Sequence, residues 1–158
     1  MHLSELERDE QELLQAARSV MHRAYNLYSG FFVGAAVRTG SGRIYAGANL
    51  ENASLGLTIC AEPAAITRAY GEGDPDIRDI AVVGGPALDS NGEMVSPCGR
   101  CRQLIYEAAQ VSETDIVVLC ANADLSKVTK ARISDLLPSA FELGGRDKIK
   151  AFLRRSRS

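Results

Sequence analysis

The sequence predicts an α/β protein with a mixed five-stranded sheet and helices on both faces. Three observations lead to this prediction. The chain of 158 residues fits one domain and contains no internal repeat or long linker. Its periodicities predict, in order, helix, hairpin, helix, strand, helix, strand and strand. Helices between single strands imply crossover connections and parallel pairing, whereas the hairpin adds an antiparallel pair.

Apolar spacing and turn residues define the elements of the first half. Ser4 with Glu7 forms a capping-box pattern, and apolar residues then recur at helical spacing as far as Ala24. A Thr-Gly-Ser-Gly turn separates two short runs of strand character. The predicted elements are a helix over residues 4–25, hairpin strands over 31–37 and 43–48, and a helix from residue 60 to about the glycine pair at 71 and 73.

Proline and glycine also mark element ends in the second half. An apolar run stops at Gly84-Gly85-Pro86, a loop continues to Pro97, and helical spacing resumes after it. The predicted elements are a strand over residues 77–83, a helix from residue 98, strands over 116–119 and 127–133, and a helical turn over 134–137 that Pro138 stops.

Composition and charge exclude several function classes. The net charge of −2 and the isoelectric point of about 5.7 exclude a uniformly basic nucleic-acid binder. No apolar run approaches the roughly 18 residues that a membrane span needs. The N-terminal segment is acidic and amphipathic, unlike a signal or transit peptide. We therefore expect a cytoplasmic protein without membrane or nucleic-acid partners.

Basic residues concentrate at the C-terminus. Residues 1–145 contain 12 Lys and Arg against 19 Asp and Glu, a net charge of −7, whereas residues 146–158 contain 6 against 1, a net charge of +5. We predict one domain over 1–145 and a basic tail over 146–158. The tail forms a short helix around Ile149, Phe152 and Leu153 with a solvated end, or it binds an anionic partner.

Two cysteines mark the start of the third helix. Cys98 and Cys101 stand in a Pro-Cys-Gly-Arg-Cys run, and residues three apart on a helix project from one face. A helix N-terminus favours anions, so both thiols are biased toward thiolate. This pattern is typical of half a metal site, although a redox dithiol shares the spacing.

Cys60 completes the predicted metal site, because it also stands at a helix start. Two helix N-termini that meet at three thiolates would form a Zn²⁺ site with one position left for water, as in catalytic zinc sites. Cys120 ends an apolar strand and has no paired ligand nearby, so we predict a buried structural thiol there.

Glu62 follows Cys60 by two residues. A carboxylate beside the metal and not bound to it can accept a proton from water and deliver it to a ring nitrogen and to departing ammonia. The alternative is a solvated glutamate in the first turn of a helix. The combination with Pro-Cys-x-x-Cys downstream favours the catalytic interpretation.

With these residues the sequence resembles the small zinc-dependent cytidine deaminases, in the branch where cysteine takes the position of a histidine ligand. The resemblance covers about residues 4–143, in order and at similar spacing. The segments that carry it are Tyr28–Ala36, Gly47–Ser54, Thr58–Glu62, Pro97–Gln103 and Leu136–Phe141.

The resemblance implies a three-layer α/β/α sandwich, and a homotetramer with a dimer as the alternative. It implies hydrolysis of cytidine or deoxycytidine to the uracil nucleoside and ammonia, as in pyrimidine salvage. One Zn²⁺ per chain would be bound by Cys60, Cys98 and Cys101, and Glu62 would transfer protons. The implied substrate-binding residues are Phe31 against the base, Asn49 and Glu51 at the ribose hydroxyls, Ala61 and Phe141.

Each of these substrate-binding assignments has a structural alternative. Phe31 could pack in the core, and Asn49 and Glu51 could cap loops. The side chains of Asn49 and Glu51 point the same way if their segment is extended.

Pro63 stands where the three-cysteine branch usually has arginine. Three thiolates on Zn²⁺ leave one net negative charge and ionised Glu62 adds a second, so a nearby cation is expected. We predict that Arg100 compensates this charge, with Arg102 as the rival and a solvated arginine as the alternative. The position of Arg100 resembles blasticidin S deaminases, which belong to the same superfamily.

The sequence leaves three candidate functions. The first is a cytidine or deoxycytidine deaminase. The second is a deaminase of the same mechanism that acts on another aminated pyrimidine nucleoside, such as blasticidin S. The third is a non-catalytic module stabilised by zinc, which predicts a fourth protein ligand and no role for Glu62.

Overall fold

The structure is a computed structural model that describes residues 1–142 and 144–156. The strands are β1 (Phe32–Thr39), β2 (Ile44–Ala48), β3 (Ile77–Gly85), β4 (Val117–Asn122) and β5 (Val128–Arg132). The helices are α1 (Arg8–Val20), α2 (Ala61–Gly71), α3 (Gly99–Ser112), α4 (Ile133–Leu136) and α5 (Arg146–Ser156). Over these described residues, no helix is both long enough and apolar enough to cross a membrane.

The five strands form one sheet in the order β2-β1-β3-β4-β5. β3 and β4 are parallel and are connected through α3. β1 pairs antiparallel with β2 and with β3, and β4 pairs antiparallel with β5. The predicted mixed sheet, its hairpin and its crossover through the third helix are confirmed.

Alternate residues of each strand face two hydrophobic cores. In β3, Ile80 and Val82 face the core beneath α2 and α3, whereas Ala81 and Val83 face the core beneath α1. All four side chains are buried. One helix thus covers one face of the sheet and two helices cover the other, which confirms the three-layer sandwich.

The first helix is shorter than predicted. α1 begins four residues later and ends five residues earlier, with a 3₁₀ turn on each side. The predicted box of Ser4 and Glu7 is wrong, because the backbone N–H of Glu7 donates to the Glu10 carboxylate at 3.2 Å in a capping box one turn later. The reason is Leu6, which is extended and buried in the α1 core, so the chain must turn before the helix begins.

The basic tail forms a helix that packs on the domain. In α5, Ile149, Phe152 and Leu153 are partly buried, and the Phe152 ring stacks on Tyr70 of α2 with centroids 5.9 Å apart. The helix continues to Ser156, and the last two residues lie outside the described part of the chain. The division of the chain after residue 145 stays a prediction.

Gly47 lets α2 approach the sheet closely. A Cβ at this position would lie 2.7 Å from the Cβ of Ala64 and 2.7 Å from the backbone nitrogen of Ala65. These distances are far shorter than a van der Waals contact, which is about 3.5–4.0 Å between carbon atoms. The position of α2, and of the residues at its start, therefore depends on glycine in β2.

We expect Gly47→Ala to lower the free energy of unfolding by about 1–3 kcal/mol, because the added methyl group overpacks the contact between β2 and α2. Urea unfolding followed by circular dichroism measures the change. Gly71→Ala at the end of α2 is the control, since a Cβ there meets nothing within 4 Å. Equal stability of the two variants would contradict the close contact.

Candidate active site

The starts of α2 and α3 lie near one end of β3. α2 ends six residues before β3 begins and α3 follows β3, so both helices begin on the side where that strand ends. Cys60 is the N-cap of α2 and Cys98 is the N-cap of α3, and both residues have extended backbone angles. Cys101 is the third residue of α3 and is fully buried.

The sulfur atoms of Cys60, Cys98 and Cys101 form one cluster, in which all lie within 4.8 Å of one another. Ligands of a tetrahedral Zn²⁺ with Zn–S bonds of about 2.3 Å lie about 3.8 Å apart, so the cluster fits this ion. Within the described part of the chain, no other His, Cys, Asp or Glu belongs to the cluster. Cys120 is a buried thiol of the α2/α3 core, as predicted.

The three thiols differ in their tendency to ionise. Burial raises the pKa of Cys60 and of Cys101. Burial acts in the same direction on Cys98, but hydrogen bonds with the Cys101 backbone and with the two other thiols outweigh it and lower the pKa of Cys98. Cys98 is therefore the first of the three to become a thiolate, and a bound metal would displace protons from the other two.

Glu62 lies beside the sulfur cluster and outside it. It is the second residue of α2 and is only 4% exposed, so the solvated glutamate considered as the alternative is wrong. Burial raises the pKa of the Glu62 carboxyl, and hydrogen bonds with its own backbone N–H and with Cys101 offset part of the rise.

A cavity of about 300 Å³ opens in front of this carboxylate. Its lining includes seven of the predicted site residues, namely Phe31, Asn49, Glu51, Cys60, Ala61, Glu62 and Cys98. The sequence motifs therefore meet in one place, although they come from segments that are far apart along the chain.

The cavity also contains residues that were not predicted. They are Ser29, Val33, Thr58, Val82, Val95 and Ser96. Most are small or apolar side chains without a chemical signature, and Val82 looks like any core residue of a buried strand. Ser29, Thr58 and Ser96 each lie two residues from a predicted site residue. This proximity along the chain is the signal from which they could have been predicted.

Asn49 and Glu51 belong to a short extended segment. Backbone hydrogen bonds tie this segment to Tyr25 on one side and to Ile59 on the other. Both side chains line the cavity, as predicted for an extended segment, while Leu50 between them is half exposed.

The same two side chains also hold the loop that precedes β1. Asn49 Oδ1 accepts the backbone N–H of Val33 at 2.9 Å, and Glu51 Oε1 accepts the backbone N–H groups of Tyr28 and Ser29 at 3.2 Å. Asn49 and Glu51 therefore both cap this loop and line the cavity.

Phe141 does not line this cavity. Its side chain is 67% exposed and lies at a separate cleft of about 700 Å³ between α3 and α5. The backbone carbonyl of Phe141 accepts a hydrogen bond from the Gln103 side chain at 3.0 Å. Within a single chain, the structure does not support the predicted contact of Phe141 with substrate.

Neither arginine proposed for charge compensation hydrogen-bonds a sulfur. Arg100 is exposed, and its side chain makes no hydrogen bond or ion pair with the residues that the structure describes. Arg102 is half-buried and donates to Ser96, Pro97 and Leu136. The partial positive charges of two helix N-termini, each equivalent to about half a unit charge, lie near the sulfurs instead. The role of Arg100 stays a prediction without a supporting contact.

Comparison with known proteins identifies a family. The zinc-binding region of cytidine and deoxycytidylate deaminases matches residues 7–120, a range that contains the sulfur cluster and Glu62. A cytidine deaminase of Halalkalibacterium halodurans is 41% identical over 133 residues, or 84% of this chain and 94% of that protein.

Solved structures of cytidine deaminases have the same fold. A crystal structure of the enzyme from Burkholderia pseudomallei has a TM-score of 0.72 at 38% identity and covers 82% of this chain and 97% of that one. The enzyme from Mycobacterium tuberculosis has a TM-score of 0.70 at 34% identity, with 87% of this chain and 100% of that one covered.

We expect the purified protein to contain one zinc ion per chain, and Cys60→Ala, Cys98→Ala and Cys101→Ala each to lose it. The melting temperature should fall with the metal, because metal binding and folding are coupled. Elemental analysis and thermal unfolding measure the two effects. Cys120→Ala, which removes a thiol outside the cluster, should keep its zinc. Zinc loss in this control, or retention in a cluster variant, would contradict the ligand set.

Proposed function

The chain belongs to the cytidine and deoxycytidylate deaminase family, and from this membership we propose that it hydrolyses the 4-amino group of cytidine or deoxycytidine. The reaction consumes one water molecule, replaces the amino group by a carbonyl oxygen and releases ammonia. A zinc ion is the cofactor that the family and the sulfur cluster indicate. The proposal extends to a role in pyrimidine salvage.

The observation that carries this proposal is the buried Glu62 carboxylate beside three convergent thiols at one cavity. Zinc held by Cys60, Cys98 and Cys101 would lower the pKa of water to about 7 and so provide a nucleophile near neutral pH. A cavity of about 300 Å³ lies within the range of small-molecule sites.

Glu62 has the role of proton carrier in this proposal. Its carboxylate takes one proton from the attacking water and gives it to ring atom N3 as the oxygen bonds to C4. It then takes the second proton from that oxygen and gives it to the amino group, which leaves as ammonia. Burial supports this role, because bulk water does not compete for the proton.

The opposite wall of the cavity would hold the nucleoside. Phe31 presents an aromatic ring to the base, and Ala61 leaves room beside it. Asn49 uses one of its two N–H donors on the Phe31 carbonyl, and the Oε2 atom of Glu51 has no partner among the described residues. One donor and one acceptor therefore remain for the two ribose hydroxyls.

Two other functions are less well supported. A non-catalytic zinc module would need a fourth protein ligand, whereas the described residues place only three donors in the cluster. A deaminase for another aminated pyrimidine nucleoside, such as blasticidin S, would use the same residues. The relatives reported above are named cytidine deaminases, which favours cytidine over that alternative.

We further propose a homotetramer in the cytoplasm. Backbone bridges place Tyr25 beside Leu50 and Leu50 beside Ile59, and all three side chains are exposed. Leu55 and Leu57, in the turn that leads to Ile59, are also exposed and extend the apolar surface. Such a surface is typical of a subunit interface. The four free thiols suit a reducing compartment.

We expect light scattering to give the mass of four 17.0 kDa chains. Leu57→Glu should reduce this mass, because a charge in an apolar interface is not paired. Leu88→Glu is the control, since Leu88 is an exposed leucine that does not belong to this apolar surface. A parent protein that runs as a monomer, or equal effects of both variants, would contradict the proposed interface.

We expect Glu62→Gln to retain zinc and fold while deamination falls by about 10⁴-fold or more, because glutamine cannot carry the proton. Loss of the 4-amino chromophore in the ultraviolet measures turnover. A panel of cytidine, deoxycytidine, cytosine and blasticidin S identifies the substrate. Glu72→Gln, at the exposed end of α2, is the matched control. Activity of zinc-loaded Glu62→Gln near the parent value would assign the proton transfer to another group.

A further inference from the structure

The guanidinium group of Arg102 connects α3 to two other parts of the chain, residues 96–97 and Leu136. Nε donates to the Pro97 carbonyl at 2.8 Å, Nη2 to the Ser96 hydroxyl at 3.0 Å and Nη1 to the Leu136 carbonyl at 2.9 Å. All three nitrogen atoms of the planar group are therefore used. We propose that Arg102 is a positioning residue that fixes the Ser96–Pro97 wall of the cavity and the entry of Cys98 into α3.

The wall that Arg102 holds packs on the core through Val95 but has few other hydrogen bonds. Residues 86–97 contain neither helix nor strand. For residues 94–97, the hydrogen bonds of the described structure come from Arg102, apart from a contact between Ser96 and the Cys120 thiol. Ser96 lines the cavity, so the guanidinium group that binds its hydroxyl helps to hold this part of the lining in place.

The position of Arg102 also links this wall to the metal cluster. Pro97 is buried and directly precedes Cys98, while Arg102 directly follows Cys101. The bond from Arg102 to Pro97 thus closes a loop around both cysteines at the start of α3. Partners of this kind outside the metal ligands typically change metal affinity or activity by about 10–100-fold when removed.

The bond from Arg102 to the Leu136 carbonyl connects the start of α3 to the C-terminal segment. Leu136 is the last residue of α4, and the neighbouring Gln103 holds the carbonyl of Phe141 in the same segment. Lysine cannot reproduce these contacts, because it has one nitrogen where arginine has a fork of three. The effect on substrate rests on the proposed function, whereas the effect on metal retention does not.

The test compares Arg102→Gln and Arg102→Lys with Arg18→Gln. Arg18 also donates from its guanidinium group to a backbone carbonyl, that of Ala123 at 3.0 Å, but on the opposite face of the sheet. Each zinc-loaded protein is measured for zinc transfer to a chromogenic chelator, for KM and kcat with cytidine, and for melting temperature.

We expect Arg102→Gln to release zinc about 10–100-fold faster than the parent. Its KM should rise about 10-fold with kcat little changed, because Ser96 contributes to binding while the Glu62 carboxylate is untouched. Arg102→Lys should show both effects in part, and it replaces Arg102→Gln in the test if that variant does not fold. Arg18→Gln should lower the melting temperature, leave KM at the parent value and show the change in zinc transfer that destabilisation alone causes.

Global destabilisation alone reduces the amount of active protein without changing KM, and because metal binding and folding are coupled, any faster zinc transfer that it causes appears in Arg18→Gln as well. Arg102 variants that lower the melting temperature and leave both values at those of Arg18→Gln would overturn the proposal. A parent that does not deaminate cytidine would refute the proposed function, while faster zinc release from the variants would still support the positioning role.

Discussion

The convergence of two helix N-termini near one end of β3 is the constraint on which the rest of the site depends. α2 runs back toward the start of β3 and α3 leaves from its end, so Cys60 and Cys98 become neighbours although 37 residues separate them. Both cap their helices with extended backbone angles, which lets their sulfurs turn toward Cys101. The same convergence brings Glu62, in the first turn of α2, to the edge of the cluster.

Near the sulfur cluster, positive charge comes from the backbone at the helix N-termini and not from a cationic side chain in contact with a sulfur. Residue 63 is proline, so the residue after Glu62 supplies no cation, and Arg100 is exposed. Two helix N-termini favour negative charge near the cluster, and the hydrogen bond from the Cys101 backbone helps to lower the pKa of Cys98, whereas burial raises the pKa of Cys60 and of Cys101. Arg102 makes no contact with a sulfur. It binds the Pro97 carbonyl and so positions the loop from which Cys98 enters α3.

Much of the fold and site was predictable from local pattern. Short apolar runs bounded by turn residues located the strands, because both signals are properties of adjacent residues. Cys98 and Cys101 were predicted as a pair, since their spacing alone puts them on one helix face. The boundary of α1 was not predictable in this way, because it depends on the burial of Leu6 against a distant part of the chain.

The sequence by itself thus determined the element order and predicted the cysteine and glutamate chemistry, both of which depend on short-range spacing. The extended form of residues 49–51 depends instead on backbone hydrogen bonds with Tyr25 and Ile59 in other segments. Only the tertiary structure decided that Phe141 lies away from the cavity and that Val82 lines it. It also decided that Arg102 contacts the wall and Arg100 does not. These outcomes follow from which distant segments pack together, and side-chain contacts across a fold leave no periodic signal in the chain.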